Sequence, residues 1–509
     1  MNVFGGKMVC TQKRIISSLP APQIVRNEFR NTICQNDGIR YHALAFADHA
    51  LRLKAAMLNL TAPFRTANGG HRRRSVLKAG ILGLGGLTLS DLLRIRAQAD
   101  QTSEYRARPT QKSVILLWQQ GGPSHHETYD MKPEAVRDIR GPFSPIPTNV
   151  SGVEVCELLP MHAAIADKFT IIRSCSHNWN GHNDGIPMMV SGYPGWDEHR
   201  NESTNPELGA VVSRALGQVH EGLPVAVGMG ARHYGYVPTT ATGYWSDTYR
   251  PPTVDNGLNT GVNLDVHRLD NRRQLLGQID QLRCRIDSGS LQAADNFQQQ
   301  AFDIVTGVKA RDAFDTSLED KRTLTRYGDG WGRQALQARR LVEAGVSFVT
   351  VGVPGDSEIY NWDDHAVNGD LPTAMRQRLP RYDRVVTALI EDIHERNLDE
   401  DVMIVVTGEF GRTPKGNYRK GNSDGKINWG RDHWANAMSI LVSGGGKPMG
   451  RILGATNSKG EHPVHGELSP QDIHATIYQH LGIDYKRTYN NSAGRPIHIC
   501  YGDHIASWG

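Results

Sequence analysis

Cysteine is scarce in this chain: there are six in 509 residues, and only Cys156, Cys175, Cys284 and Cys500 follow residue 99. None of the four is spaced as Cys-x-x-Cys, which excludes a zinc knuckle or a thioredoxin-like redox motif and leaves one or two disulfides permitted but not required. Long apolar runs are missing as well. The softest stretch, Ala79 to Leu89, is shorter than the ~20 residues a span needs, and Asp91 interrupts its far end, so no stable membrane span is expected. The net charge is only +4, much of it contributed before residue 100. No basic stripe with interleaved aromatics follows, which excludes a nucleic-acid partner. Several catalytic signatures are absent too. Gly121-Gly122-Pro123-Ser124 is not the Gly-x-Ser-x-Gly of a nucleophile elbow, and His125-His126-Glu127 lacks the second His of a zincin helix. Ser443 to Pro448 lacks the spacing and the Ser/Thr of a phosphate-binding loop. There is no internal repeat.

What is present begins with His71-Arg72-Arg73-Arg74-Ser75-Val76-Leu77-Lys78, followed by the apolar run and then Ala97-Gln98-Ala99. Paired arginines, a hydrophobic residue two positions on, a Lys, a Gly-rich core and an Ala-x-Ala site make a twin-arginine export signal. The reading assigns residues 72–99 to that signal and 1–71 to an unstructured leader or a mis-assigned start, with Met57 as the alternative initiator. It implies the twin-arginine export machinery as a partner, a periplasmic or extracellular location, and folding before transport. The fold therefore belongs to residues 100–509.

Within that span, Ser113–Trp118, Phe169–Ile172, Ser347–Val351, Val402–Thr407 and Met438–Val442 are continuous apolar runs, the pattern of strands buried on both faces. Helical patterns separate them at roughly 206–217, 270–306, 332–345, 380–397 and 470–481. Such alternation predicts an α/β fold, a three-layer α/β/α sandwich around a mostly parallel sheet. The interval 229–330 departs from it and reads as an inserted cap or a long surface excursion. Parallel sheets bind ligands at the carboxyl ends of their strands. Those ends carry Gln119–Asp130 with His125, Arg173–Asp184 with Asn180 and His182, Trp362-Asp363-Asp364-His365, Gly408–Pro414 with Glu409 and Arg412, and Gly430–Trp434 with His433. Imidazoles and carboxylates recurring after strand upon strand converge in space, as a divalent cation or an anionic substrate requires.

The Gly-Gly-Pro-Ser-His turn, Ser191-Gly192-Tyr193-Pro194-Gly195, Thr407-Gly408-Glu409-Phe410-Gly411-Arg412-Thr413-Pro414, Asn428–Trp434 and the leader together resemble a large exported bacterial family, domain of unknown function 1501. That family is itself similar to the sulfatases of the alkaline phosphatase superfamily, and the resemblance spans 72–509. It implies an alkaline-phosphatase-like domain, a divalent metal (zinc, manganese or calcium), and an anionic ester substrate, with sulfated or phosphorylated polysaccharide foremost. Where the superfamily places a Ser, Thr or Cys nucleophile this chain has His182. Where it places an Asp-His pair this chain has Glu409-Phe410, and the sulfatase Cys-x-Pro-x-Arg is absent. The resemblance implies Asp363, His365, Glu409 and His433 as metal ligands, and Arg173 and Arg412 as oxyanion binders. It leaves His182 as nucleophile, base or further ligand, with His125, Asn180 and Trp362 touching substrate. Two outcomes stay open: a metal-dependent hydrolase of phosphate or sulfate esters, or a catalytically lapsed relative that binds an anionic polysaccharide or a partner protein through loop tryptophans such as Trp179.

Overall fold

The structure, a computed structural model, describes residues 112–508 apart from 218–219, 221, 231–236, 255–307, 355–360 and 423–424. The expected leader and export signal, Cys284 and the helix expected at 270–306 lie outside the described residues.

Eight strands form the central sheet. In chain order they are β1 (Ser113–Trp118), β2 (Thr170–Cys175), β3 (Ala226–Met229), β4 (Thr253–Val254), β5 (Phe348–Gly352), β6 (Val402–Thr407), β7 (Met438–Gly444) and β8 (Arg451–Leu453). Across the sheet they run β8-β2-β7-β6-β1-β5-β3-β4. Every neighbouring pair is parallel except the two that β7 makes with β6 and β2. Because β7 alone is reversed, its amino end lies at the edge where the other strands present their carboxyl ends.

Strand alternation divides β1 between two cores. Ile115 and Leu117 pack into one apolar cluster with Leu336 and Leu341 of helix α3 (Trp331–Ala344) and Leu379, Val386 and Leu389 of helix α4 (Leu371–Glu395). Val114, Leu116 and Trp118 pack into the other, with Ile186 and Val190 of α1 (His182–Ser191), Val212 of α2 (Leu208–Leu216) and Ile473 and Ile477 of α5 (Pro470–His480). Helices on both faces of a buried, mostly parallel sheet make the three-layer sandwich that the apolar runs predicted. Truncating a side chain such as Leu117 to Ala would cost about 2–5 kcal/mol.

Local chemistry explains most element ends. Gly345, at φ 114°, closes α3 in the left-handed conformation and turns the chain into β5. Ser469 and Asp472 form a reciprocal capping box at the start of α5. The sequence pattern began α4 at Pro380, but the helix starts nine residues earlier. Asp370 caps it by accepting from Thr373 N, and Pro380 is tolerated inside. Of the interval 229–330, β4 joins the sheet edge and a short helix, Lys321–Tyr327, packs on α4. Cys156, Cys175 and Cys500 are buried free thiols. No helix among the described residues is long and apolar enough to cross a membrane.

Candidate metal centre

The loops after β1, β2, β5 and β6 and the segment leading into β7 meet at one sheet edge, and they come from five consecutive strands of the sheet. The turn after β1 makes the junction possible. Gly121 and Gly122 adopt φ of 109° and 84°. A Cβ on Gly121 would stand 2.5 Å from Asp363 N, and one on Gly122 2.5 Å from the Phe410 ring, so only glycine fits at either position. The Gly121 N–H donates to Glu409 Oε1 at 2.7 Å.

Asp363 stands at the centre. Its Oδ1 accepts from Arg412 Nη2 at 2.7 Å and lies 3.0 Å from His433 Nε2 and 3.2 Å from His365 Nε2. Its Oδ2 is 3.6 Å from His182 Nε2 and accepts from Asn368 Nδ2 at 3.1 Å. Burial alone would raise the Asp363 pKa, but hydrogen bonds from His182, His365 and His433 and the Arg412 charge hold it well below the usual carboxylate range.

Each surrounding imidazole has its other nitrogen anchored to an oxygen that can only accept. His182 Nδ1 donates to Glu409 Oε1 at 2.9 Å, His365 Nδ1 to Asp432 Oδ1 at 2.7 Å, and His433 Nδ1 to the Asn180 carbonyl at 2.7 Å. These anchors keep a proton on Nδ1 in all three rings and turn all three Nε2 atoms toward the Asp363 carboxylate, where a second ring proton, or a cation in its place, makes the contact. His365 Nε2 and His433 Nε2 are only 2.9 Å apart. Converging lone pairs repel unless protons or a cation are shared among them. His182, Asp363 and His433 each offer a ligand atom within 4.8 Å of the others, a grouping fit to hold a metal ion. The two ends of the cluster differ electrostatically. Burial opposes protonation of His182, yet its hydrogen bonds to Asp363 and Glu409 push its pKa up to about 9, whereas burial lowers that of His433 against its bond to Asp363.

The other predicted residues are placed as follows. Glu409 is fully buried behind His182; its Oε1 serves His182 and Gly121, while Oε2 has no partner among the described residues. Phe410 is buried too and packs against His433, with ring centroids 4.2 Å apart, as a floor beneath the imidazoles. Arg412 is fully buried. It donates to the carbonyls of Gly121, Gly122 (2.8 Å), Trp362 (2.9 Å) and Arg431 (3.2 Å), so its fork braces the loops and is not turned toward a substrate. Arg173, expected as the second oxyanion binder, lies on β2 and contacts Asp130 and the Glu154 carbonyl, neither of them part of this cluster. Trp362, expected to touch substrate, is completely buried with Nε1 on the Val353 carbonyl, which leaves no free face for a ring to stack on. His125 is buried with Nε2 on the Gly460 carbonyl at 3.0 Å, and burial lowers its pKa to about 4. Asn180 turns its Oδ1 to Ala435 N at 2.6 Å and spends its carbonyl on His433.

Sequence reasoning passed over Asp432. Its signal was adjacency, since a carboxylate directly before a candidate ligand His can orient a neighbouring imidazole. It also passed over α1, because Gly185 and Pro187 argue against a helix there. Packing decides otherwise: a Cβ on Gly185 would meet the Phe410 ring at 2.8 Å.

No curated protein matches the sequence. Among solved structures the chain is similar to the PsFucS1 sulfatase from Pseudoalteromonas sp., at 11% identity over 78% of this chain and 71% of that one, with TM-score 0.37. It is also similar to the alkaline phosphatase from the Antarctic bacterium TAB5, at 12% identity over 73% and 99%, TM-score 0.33. A third likeness is to Ps i-CgsB in complex with k-i-k-neocarrahexaose, at 12% identity over 78% and 76%, TM-score 0.34. Likenesses this distant do not bear on what the present chain binds or turns over. The family described as "Protein of unknown function (DUF1501)" matches residues 111–506, nearly the whole of the described fold, and the chain belongs to that family.

Proposed function

We propose that the protein is an exported, metal-dependent hydrolase of phosphate or sulfate esters. One observation carries the reading: three imidazole Nε2 atoms, from His182, His365 and His433, converge on the Asp363 carboxylate with every Nδ1 anchored behind them. The donor set fits a divalent cation. Anchored tautomers and a buried, partnerless Glu409 oxygen beside the cluster are what an ion-holding site needs. Three nitrogens and a carboxylate favour zinc or manganese over calcium, which prefers oxygen ligands.

A divalent cation bound here would polarise an ester oxygen and acidify a water molecule. The chain's own groups supply the rest. Asp363, His182, His365 and His433 would hold the ion; Glu409, Asp432 and the Asn180 carbonyl keep their imidazoles in the ligating tautomer. Arg412 keeps Asp363 ionised and in register with the Gly121–Gly122 turn. His182 serves better as a ligand than as the attacking group, because its Nδ1 proton is committed to Glu409 and its Nε2 points into the cluster. The twin-arginine leader supports export to the periplasm or beyond, and the buried, unpaired thiols are compatible with folding before transport.

The test is metal content together with turnover. Protein purified without chelators should hold zinc or manganese and hydrolyse 4-nitrophenyl phosphate or 4-nitrophenyl sulfate. Asp363→Asn should lose both metal and turnover. Wild-type protein that takes up no metal and cleaves neither ester would sink the hydrolase reading and leave a binding protein.

A further inference from the structure

Two of the anchoring groups lead outward to the surface. Behind His433, the Asn180 carbonyl belongs to the loop after β2, and the residue before it, Trp179, is exposed at 39% in spite of its size. Behind His365, Asp432 accepts from Asn417 Nδ2 at 2.9 Å and Arg419 Nη2 at 3.1 Å. Both belong to a two-stranded hairpin, Asn417–Lys420 paired with Ile427–Gly430. Alternation along the hairpin puts Asn417 and Arg419 on the face toward Asp432 and Tyr418 on the other, where it is 65% exposed. The Arg419 side chain is 52% exposed.

Arg419 therefore differs from the other guanidiniums near the cluster. Arg412, Arg431 and Arg378 are all buried, the last two on Glu127 and Asp364. Arg419 spends one amino group on a half-open carboxylate and keeps donors toward water. It is separated from the converging Nε2 atoms by a carboxylate and an imidazole, too far to hold the ester under attack but open to another anion on the same molecule. Trp179, next in sequence to the Asn180 whose carbonyl anchors His433, offers an exposed flat apolar ring of the kind on which a sugar stacks.

We propose that the substrate is a sugar carrying at least two anionic groups. One is the ester presented to the metal centre, the second is held by Arg419, and the ring rests on Trp179. This rests on the metal-site reading above and adds what flanks it.

Binding, measured by calorimetry on metal-loaded protein, separates the roles. The probes are inorganic phosphate, glucose 6-phosphate and glucose 1,6-bisphosphate, with glucosamine 6-sulfate and its 2,6-disulfate as the sulfur counterparts. Arg419→Ala should weaken the doubly charged sugars roughly tenfold, the value of one charge-assisted hydrogen bond, and leave inorganic phosphate and the singly charged sugars unchanged. Arg419→Lys should restore part of the loss. Trp179→Ala should weaken every sugar and spare inorganic phosphate. The proposal is overturned if Arg419→Ala weakens inorganic phosphate equally, which would place Arg419 on the reacting group. It is overturned as well if the variant loses metal, which would make Arg419 a brace for Asp432, or if single and double charges bind alike. Selective binding without hydrolysis would uphold this proposal while removing the hydrolase reading.

Discussion

Arg412→Met is the substitution that most sharply separates a brace from a substrate contact. The wild-type guanidinium is fully buried, with Nη2 2.7 Å from Asp363 Oδ1 and its remaining donors on four backbone carbonyls from three loops. Removing one partner of a buried ion pair costs about 3–5 kcal/mol. Asp363 keeps 27% of its side chain in water and retains three imidazole neighbours, so the lower end of that range applies to the pair. Carbonyls left without donors add about 1–3 kcal/mol each where water cannot reach them, partly offset because Met fills most of the volume. The expected loss is about 5 kcal/mol, seen as a lower urea midpoint and a melting temperature lower by about 10 °C. Arg412→Lys should recover only part of it, because a compact ammonium cannot reach carbonyls on three sides. On the proposed hydrolase reading, residual folded protein should show an unchanged KM for 4-nitrophenyl phosphate or 4-nitrophenyl sulfate. A variant that unfolds at the wild-type midpoint while its KM rises would refute the argument and return Arg412 to the substrate.

Three further outcomes are expected. Asp432→Asn should lower metal affinity about 10–100-fold without unfolding the protein, because it loosens the anchor of His365 Nδ1; equilibrium dialysis with zinc would read this, and an unchanged affinity would remove Asp432 from the site. Glu207 is buried at the start of α2, and burial raises its pKa from 4.5 to about 8. In that window the folded protein binds the extra proton, so this group's stabilisation is complete below pH 4.5 and is lost as pH rises through about 8. Glu207→Gln should flatten that decline in chemical denaturation, and parallel wild-type and variant profiles would contradict it. Ser469→Ala removes the α5 cap and should cost about 1 kcal/mol in urea unfolding with no change in metal content.

The five long apolar runs were legible as strands because a strand buried on both faces leaves no polar residues to confuse the period. Ser113–Trp118 and Val402–Thr407 coincide with β1 and β6 to the residue. The short strands β3, β4 and β8 were not, since two to four residues at a sheet's margin carry too little pattern to separate from a loop. The polar strand-end loops were legible as a site through a topological rule alone: where parallel strands end together, their loops meet.

Residue types along the chain thus determined the sheet, the sandwich and the set of chemical groups at its edge. Which of those groups face one another was a tertiary decision. Reversal of β7 brings His433 to the same edge as Asp363, although the two are 3.0 Å apart in space and seventy residues apart in sequence. Burial withdrew Arg412 and Trp362 from solvent, and the anchors at Glu409, Asp432 and Asn180 aimed three imidazoles at one carboxylate. No local pattern encodes an orientation of that kind, because a ring's tautomer and direction follow from whichever oxygen the fold places behind it.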